Sequence, residues 1–221
     1  MNKKIGSVLD KYFSKYKLIT INKNSTIIFS SDDPTGVYYL RKGYIKMNTI
    51  TPDGNELILN IYKPGTFFPM FWAIGDVTNQ YSFQTLTKVS LNKAPKNEFI
   101  EFLQSNPEVL FDLTRRILRG MDGLITNIRH FLVGNSNHRV ASALLMATKR
   151  FGKKTEKGKI IISLSLTHQD VADLAGMTRE TTSLAIERLS KLKILKQVRR
   201  RFVIENIEKL SEEASFEDNI K

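Results

Sequence analysis

The sequence contains no cysteine. This absence excludes disulfide bonds, a thiol redox switch, cysteine-ligated iron–sulfur clusters and a cysteine nucleophile. The three histidines, His130, His138 and His168, lie far apart and lack the spacing of metal ligands. A nucleophile–base pair and a glycine-rich phosphate loop, which many enzymes require, are also missing. We therefore expect no enzyme, no metal site and no cofactor.

Long apolar runs are missing as well. No stretch approaches the roughly 18–20 apolar residues that cross a bilayer, and the first residues lack the apolar core and cleavage site of a secretory signal. We expect a cytoplasmic protein with no membrane partner. Apolar residues near the N-terminus repeat at helical spacing, which predicts a helix packed on its own domain, with a membrane-surface helix as the alternative. These residues are Ile5, Val8, Leu9, Tyr12, Phe13 and Tyr16.

The 221 residues carry a formal net charge of +12, and the excess is concentrated towards the C-terminus. Residues 135–205 hold 15 Lys and Arg against 6 Asp and Glu, whereas residues 1–134 hold 17 against 11. Such a local excess suggests a polyanionic partner, double-stranded DNA above all. A lysine-rich surface that serves only solubility is the alternative.

The first part of the chain has the pattern of short strands. Runs rich in Ile, Val, Thr and Tyr alternate with clusters of Gly, Pro, Asp and Ser, and Thr51, Pro52, Asp53 and Gly54 form a strong hairpin signal. This spacing predicts an antiparallel barrel or roll. The expected strands cover residues 18–29, 37–40, 44–50, 56–62 and 81–91.

A helical pattern then runs without interruption from Pro107 to about Val133. Gly120 and Gly123 lie within it, although each costs about 1 kcal/mol relative to alanine, and close approach of a second backbone would explain them. A second stripe, Leu118, Ile125 and Leu132, is expected to face the strand domain; a connector helix with no partner copy is the alternative. The predicted dimer seam consists of Leu110, Leu113, Ile117, Met121, Leu124, Ile128 and Phe131.

Residues 166–189 read as two short helices joined by a tight turn. Thr167 and Asp170 form a capping box, Gly176 ends the first helix, and Thr178 caps the second, which is the signature of a helix-turn-helix. The inward faces are predicted to hold Val171, Leu174 and Ala175 in the first helix, and Thr182, Ala185, Ile186 and Leu189 in the second.

The outer face of the second helix carries side chains that suit base edges: Arg179, Glu180, Ser183 and Leu184. Arginine binds guanine, glutamate accepts from cytosine, serine bonds to either kind of group, and leucine contacts the thymine methyl. A surface ion pair between Arg179 and Glu180 is the alternative interpretation.

Two further strands, at 194–198 and 201–204, predict a wing with arginines at its tip. Lys193, Lys196 and the arginines have no acidic neighbour in sequence before Glu205. Phosphate contacts are therefore expected from Arg199, Arg200 and Arg201.

This order of strand roll, long helix and winged helix-turn-helix resembles the Crp/Fnr superfamily of bacterial regulators. The resemblance implies an α+β fold with an N-terminal antiparallel β-roll like the cyclic-nucleotide-binding jelly roll (residues 1–106), a dimerisation helix (107–134) and a C-terminal winged helix-turn-helix DNA-binding domain (135–221). It implies that His168, Gln169, Thr178 and Thr181 contact phosphates while Arg179, Glu180 and Ser183 read bases. Many relatives carry an arginine where this chain has Leu184, so the target site is not copied from a relative.

The resemblance also implies a homodimer on a pseudo-palindromic site, contact with RNA polymerase, and control by a small effector in the roll. The candidate effector pocket is Phe67, Phe68, Pro69, Met70, Phe71, Trp72, Tyr81 and Ser82. Cyclic-nucleotide-binding relatives have a glutamate where Met70 stands and an arginine where Tyr81 stands (or Gln80, with a shift of one residue). Because the cation that would bind the phosphate is missing, we expect no cyclic nucleotide bound in the usual way.

Two interpretations of the aromatic stretch remain open. It lines a pocket for an apolar or aromatic effector, or it fills a disused pocket and packs on Leu118 and Ile125. The function expected is a sequence-specific transcriptional regulator modulated by an effector. The alternatives are a constitutive regulator that uses the roll only for dimerisation, and a small-molecule sensor that does not bind DNA.

Overall fold

The computed structural model of the protein describes residues 3–156 and 158–215, with side chains described except at residue 3 and residues 126–133. The chain divides into two compact units. The first comprises the chain up to Thr51 together with Ile58–Met121, and the second comprises Pro52–Leu57 together with the chain from Asp122. Among the described residues, no helix is both long and apolar enough to cross a membrane.

The first part of the chain contains eight β-strands and the helices that cover them. The strands are β1 (Leu18–Ile21), β2 (Thr26–Ile28), β3 (Val37–Lys42), β4 (Ile45–Ile50), β5 (Glu56–Tyr62), β6 (Phe67–Phe68), β7 (Ser82–Thr85) and β8 (Val89–Ala94). The helices are α1 (Lys3–Phe13), α2 (Met70–Gly75), α3 (Lys96–Ser105) and α4 (Pro107–Val133).

The strands form two four-stranded sheets, with the orders β1-β8-β3-β6 and β2-β7-β4-β5. Pairing is antiparallel throughout the described registers, for example Tyr39 opposite Asn92 and Ile45 opposite Thr85. This arrangement confirms the predicted antiparallel roll. The expected single strand at 81–91 is wrong in one respect: it is two strands, β7 and β8, each paired in a different sheet.

Alternation along β3 divides the apolar side chains between two cores. Tyr38 and Leu40 point between the two sheets, where they meet residues of β4, β7 and β8. Val37 and Tyr39 point to the opposite face, which α1, α3 and the start of α4 cover. Successive side chains of a strand face opposite sides, so one short strand contributes to both cores.

The turn between β3 and β4 requires glycine. Gly43 has φ +87°, and a Cβ atom there would lie 2.4 Å from the carbonyl oxygen of Lys88. Both the left-handed backbone and the close approach of a second strand exclude a side chain. The connection between β3 and β4 is therefore fixed by one residue.

The remaining elements build a helical unit with a small sheet. The helices are α5 (Ser136–Phe151), α6 (His168–Ala175), α7 (Arg179–Lys191) and α8 (Ile207–Ala214), and the strands are β9 (Gly152–Lys154), β10 (Ile160–Ile162), β11 (Leu195–Val198) and β12 (Arg201–Ile204). The sheet order is β11-β12-β10-β9. The inward faces predicted for the two helices of the helix-turn-helix are confirmed, since those residues of α6 and α7 are buried. Strand β9 follows α5 directly, because Gly152–Lys154 pairs with β10.

Candidate nucleic-acid interface

The start of α6 is fixed by its own side chains. The backbone N–H of Asp170 donates to Thr167 Oγ1 at 3.0 Å, and the backbone N–H of Thr167 donates to Asp170 Oδ2 at 2.7 Å. Both halves of the capping box are therefore present, as the sequence predicts. Two N–H groups that the helix leaves unpaired are satisfied in this way.

The turn between α6 and α7 depends on a residue that sequence reasoning missed. Gly176 ends α6 in the left-handed region, with φ 59° and ψ 45°. From α5, the guanidinium of Arg139 donates to the carbonyl oxygens of Ala175 at 3.0 Å and Gly176 at 2.7 Å. The cation lies at the negative end of the α6 dipole, where it is favourable, although burial lowers the pKa of Arg139. No local sequence signal predicts this contact, because 36 residues separate Arg139 from Ala175.

Helix α7 presents its predicted base-reading residues outward. The Thr178 hydroxyl accepts from the backbone N–H of Thr181 at 3.3 Å and caps the helix. Arg179 and Glu180 are exposed in its first turn, and Leu184 is 68% exposed one turn later. The side chain of Ser183 is only half-buried. The N-terminal part of α7 therefore offers a cation, a carboxylate, a hydroxyl and an apolar group to a ligand.

The residues at the start of α6 already have partners within the chain. His168 Nδ1 lies 2.9 Å from Ser183 Oγ, and the His168 ring stacks on Phe202 at a centroid distance of 6.2 Å. Gln169 donates from Nε2 to Asp173 Oδ1 at 2.7 Å. The structure thus links two of the residues expected at phosphates to other side chains of the helix-turn-helix.

The wing is a tight hairpin with arginine in its turn. Val198 pairs with Arg201, which leaves Arg199 and Arg200 as a two-residue loop with φ 47° and 64°. Positive φ at both loop positions is the type I′ geometry that matches strand twist, and non-glycine residues adopt it at a cost. All three arginines are exposed, and Ser165 Oγ donates to the Arg200 carbonyl oxygen at 2.9 Å. The wing tip is therefore attached to the segment that precedes α6.

Not every basic residue of this region is available to phosphate. Lys159 Nζ and Lys196 Nζ lie 2.6 and 2.8 Å from Glu205 Oε1. Hydrogen bonds from Lys159 and then Lys196 lower the pKa of Glu205 to about 2. The expected phosphate contacts of the wing therefore have to come from the arginines rather than from Lys196.

Helix α4 exposes most of the predicted dimer seam. Leu110, Ile117, Met121 and Leu124 are between 39% and 51% exposed. The prediction that Leu113 belongs to the seam is wrong, because its side chain is only 5% exposed and lies in the helix-covered core of its own chain. The side chains of Ile128 and Phe131 lie outside the described residues.

Leu118, in the second stripe of α4, does not pack on the strands. It is 59% exposed, so the expectation that it faces the strand domain or covers the aromatic stretch is wrong. Ile125 of the same stripe is also 59% exposed, and the side chain of Leu132 lies outside the described residues. A Cβ atom at Gly120 or Gly123 would meet nothing within 4 Å in the described chain. Contacts among the described residues explain neither the exposed apolar side chains of α4 nor its two glycines.

The structure does not bring the predicted effector residues together around one space, since they divide between two cores and the surface. Phe67 and Phe68 point to opposite faces of β6, the former into the helix-covered core and the latter between the sheets. This correction follows from strand alternation, which the continuous aromatic run conceals. Pro69 is buried and caps α2, and Met70 packs against the helix-covered core.

The remaining members of the aromatic set have separate surroundings. Trp72 donates from Nε1 to Asp33 Oδ1 at 2.9 Å, and Lys96 Nζ lies 4.8 Å from its ring centroid. Phe71 is 53% exposed, with its ring 5.9 Å from that of Tyr81. Ser82 Oγ accepts from the backbone N–H of Ser30 at 3.0 Å. Trp72 is therefore partly buried beside the helix-covered core and does not line the space between the sheets.

Aromatic rings occupy the space between the sheets. Phe68 stacks on Tyr38 at 5.4 Å and on Phe83 at 5.0 Å, and the ring of Tyr62 lies 5.6 Å from Phe68. Sequence reasoning selected only Phe68 of this group. The other three lie on separate strands, at positions where aromatic residues are ordinary strand residues.

Two parts of the chain match known families. Residues 138–213 match the family described as Crp-like helix-turn-helix domain, and residues 18–106 match the family described as cyclic nucleotide-binding domain. The second match covers strands β1–β8, and the first covers the helix-turn-helix and the small sheet beside it.

The curated relatives are transcriptional regulators. The chain is 30% identical over 182 residues to the global nitrogen regulator of Nostoc sp. (strain PCC 7120), which covers 80% of this chain and 79% of that protein. It is 24% identical over 183 residues to the cAMP-activated global transcriptional regulator CRP of Haemophilus influenzae, covering 82% and 81%. These relatives are regulators rather than enzymes.

Solved structures share the fold. A CooA mutant from Carboxydothermus hydrogenoformans aligns with a TM-score of 0.78 at 19% identity, covering 93% of this chain and 90% of that chain. A transcriptional regulator of the CRP/FNR family from Thermus thermophilus aligns with a TM-score of 0.71 at 23% identity, covering 90% and 98%. With its capped helix-turn-helix, its antiparallel roll and these relatives, the chain belongs to the CRP/FNR family of DNA-binding transcriptional regulators.

Proposed function

We propose that the chain acts as a homodimer on a two-fold pseudo-palindromic site, with α7 of each copy in a major groove. The observation that carries this proposal is the exposed Arg179–Glu180 pair in the capped first turn of α7. In helix-turn-helix proteins the N-terminal residues of the second helix contact base edges. Arg179 suits guanine O6 and N7, Glu180 suits cytosine N4, and Leu184 suits a thymine methyl.

Phosphate contacts are proposed on both sides of α7. Arg199, Arg200 and Arg201 are exposed at the wing, and no ion pair occupies them within the described chain. Thr178 and Thr181 lie at the N-terminus of α7, with their hydroxyls 3.0 Å apart. Gln169 joins them at the N-terminus of α6, where a helix favours an anion. These contacts would fix the register of the protein without reading sequence.

The proposed dimer uses α4. The exposed residues Leu110, Ile117, Met121 and Leu124, extended by Leu118 and Ile125, form an apolar arc along α4. Exposed apolar surface of this kind marks an interaction site, and a closed two-fold pairing of identical helices covers it on both copies. The division proposed is residues 1–106 for the roll, 107–134 for dimerisation and 135–221 for DNA binding. Contact with RNA polymerase is proposed from family membership alone.

For the roll, the packing favours the interpretation in which the ligand space is filled. One relative is named as cAMP-activated, but this chain has Met70 and Tyr81 in place of the glutamate and arginine expected for a cyclic nucleotide. The stacked rings of Tyr38, Phe68 and Phe83 support a roll that serves as scaffold. An effector of another kind, bound outside this stack, is the second candidate, favoured by exposed Phe71 beside Tyr81.

Selection of binding sites from random DNA tests the base-reading proposal. Arg179→Ala and Glu180→Ala should each change the preferred base at one position per half-site, with discrimination falling by about 1–3 kcal/mol. The matched control is Arg199→Ala, which should keep the base preference and reduce the slope of log affinity against log salt by about 0.9 for each phosphate interaction removed. Unaltered preference in both α7 variants would reject the assignment.

A further inference from the structure

The His168 ring is held by three elements of the DNA-binding unit. It stands on the first residue of α6, its Nδ1 atom lies 2.9 Å from Ser183 Oγ on α7, and its face stacks on Phe202 of β12. Phe202 is fully buried, so the surface on which the ring rests is fixed. Ser183 Oγ has His168 as its hydrogen-bond partner, and no further partner is found in the part of the chain that the structure describes.

We propose that His168 is a positioning residue that decides whether Ser183 presents a hydrogen-bond donor or an acceptor to the DNA base. This inference rests on the proposed function, in which α7 enters the major groove. It assigns to His168 a role in specificity beyond the phosphate contact expected from the sequence.

The second ring nitrogen, Nε2, is the atom available for the phosphate contact expected of His168. Neutral imidazole has one N–H group and one lone pair on its two nitrogens, and the hydrogen bond made by one nitrogen fixes the state of the other. A phosphate oxygen only accepts hydrogen bonds. When Nε2 of the neutral ring contacts a phosphate, it must therefore carry the proton, and Nδ1 carries the lone pair.

The consequence passes to Ser183. Because Nδ1 then accepts, the single hydroxyl proton of Ser183 is donated to His168, and only lone pairs of Oγ remain for the base. An acceptor in the major groove suits adenine N6 or cytosine N4, which are donors, and does not suit guanine, whose edge carries acceptors only. A serine without this partner would bond to either kind of group. His168 thus makes the Ser183 hydroxyl accept only, so that it distinguishes bases that donate from bases that accept.

The test compares His168→Gln, Ser183→Ala and the double variant on DNA sites that differ only at the base pair opposite Ser183. Glutamine keeps an amide donor for phosphate but removes the nitrogen that faces Ser183. We expect His168→Gln to reduce discrimination between adenine or cytosine and guanine at that position by about 2- to 10-fold, the size of one neutral hydrogen bond. Ser183→Ala should reduce it similarly, and the double variant should show no additional loss.

Nitrogen-15 NMR of the wild-type complex supplies a measurement that needs no variant to fold. With only three histidines in the chain, the His168 signal can be assigned and its protonated nitrogen identified. A proton on Nε2 with unprotonated Nδ1 is expected; a proton on Nδ1 overturns the proposal. It is also overturned if Ser183→Ala loses discrimination while His168→Gln retains it, an outcome that leaves the proposed function intact. If Arg179→Ala and Ser183→Ala both leave every base preference unchanged, the proposed function itself fails.

Discussion

Glu205 illustrates how single residues hold the wing in place. It follows β12 directly and accepts from Lys159, beside β10, and from Lys196 on β11. One carboxylate therefore links three neighbouring strands at the base of the hairpin. The wing arginines depend on this base for their position relative to α7.

The low pKa of Glu205 leads to a pH prediction. Hydrogen bonds from Lys159 and Lys196 lower it from 4.5 to about 2 in the folded protein. A carboxyl group whose folded pKa is depressed contributes stability above its unfolded pKa and loses it as the pH falls. We expect wild type to be more stable than Glu205→Gln above about pH 5, with the difference shrinking between about pH 4.5 and 2. Thermal unfolding across this range measures it.

Glu212→Gln is the matched control for that titration. Glu212 is an exposed glutamate on α8 with no ion pair within the described part of the chain. Because the substitution removes no ion pair, it should cost little stability above about pH 5. A Glu205→Gln variant whose stability difference from wild type stays constant from pH 7 to pH 2 would contradict the assignment.

Residues that act on their own backbone could be predicted from sequence, and those that act across the fold could not. The Thr167–Asp170 box, Gly176 and Thr178 are recognisable because their partners lie within four residues. Arg139 at the helix-turn-helix turn and the His168–Ser183 pair join separate helices. Nothing in the local sequence marks such pairs, since their spacing is set by tertiary packing.

Among elements, the segment from β6 to α2 is the one whose sequence is most misleading. Its aromatic run has no clear period, because a two-residue strand is followed at once by a short helix. Phe67 and Phe68 separate by strand alternation, and Phe71 and Trp72 separate around the helix. The long helices and most strands could be predicted from their periods, but a segment that changes period after two residues could not.

If Phe68 belongs to a filled core rather than to a ligand pocket, its truncation should be costly. Phe68 is fully buried among aromatic rings. Removing such a ring leaves a cavity, so Phe68→Ala should lower the free energy of unfolding by about 3–5 kcal/mol. Phe71→Ala, the same substitution at an exposed position of the same segment, should change it by less than about 0.5 kcal/mol. Chemical denaturation of the two variants measures both values.

Calorimetry with cyclic AMP tests the alternative to the filled core, which is a ligand site between the sheets. A roll filled by its own side chains should show no saturable heat with this nucleotide. Saturable binding to wild type, together with a small stability loss in Phe68→Ala, would contradict the filled core and favour a ligand site between the sheets.

At the scale of the whole molecule, the proposed dimer brings together the basic surfaces of two DNA-binding units. The basic excess lies in residues 135–205, whereas the exposed apolar arc lies on α4. One DNA-binding unit on a half-site has few base contacts, and linking two units makes the second binding event intramolecular. Effective concentration then increases overall affinity by about 100- to 10,000-fold without any new contact.

The substitution Leu124→Glu separates the contribution of dimerisation from that of each DNA-binding unit. Leu124 is exposed on the apolar arc of α4, so a charge there should disrupt a dimer while leaving the fold of each chain intact. We expect monomers in sedimentation, an unchanged affinity for a single half-site, and an affinity for the palindrome at least about 100-fold weaker. Arg119→Glu, on the polar side of the same helix, should remain dimeric and keep its preference for the palindrome. A Leu124→Glu protein that sediments as a dimer would show that the copies meet elsewhere. If binding to the half-site and to the palindrome weakened equally, the substitution would act on the DNA-binding unit itself rather than on dimerisation.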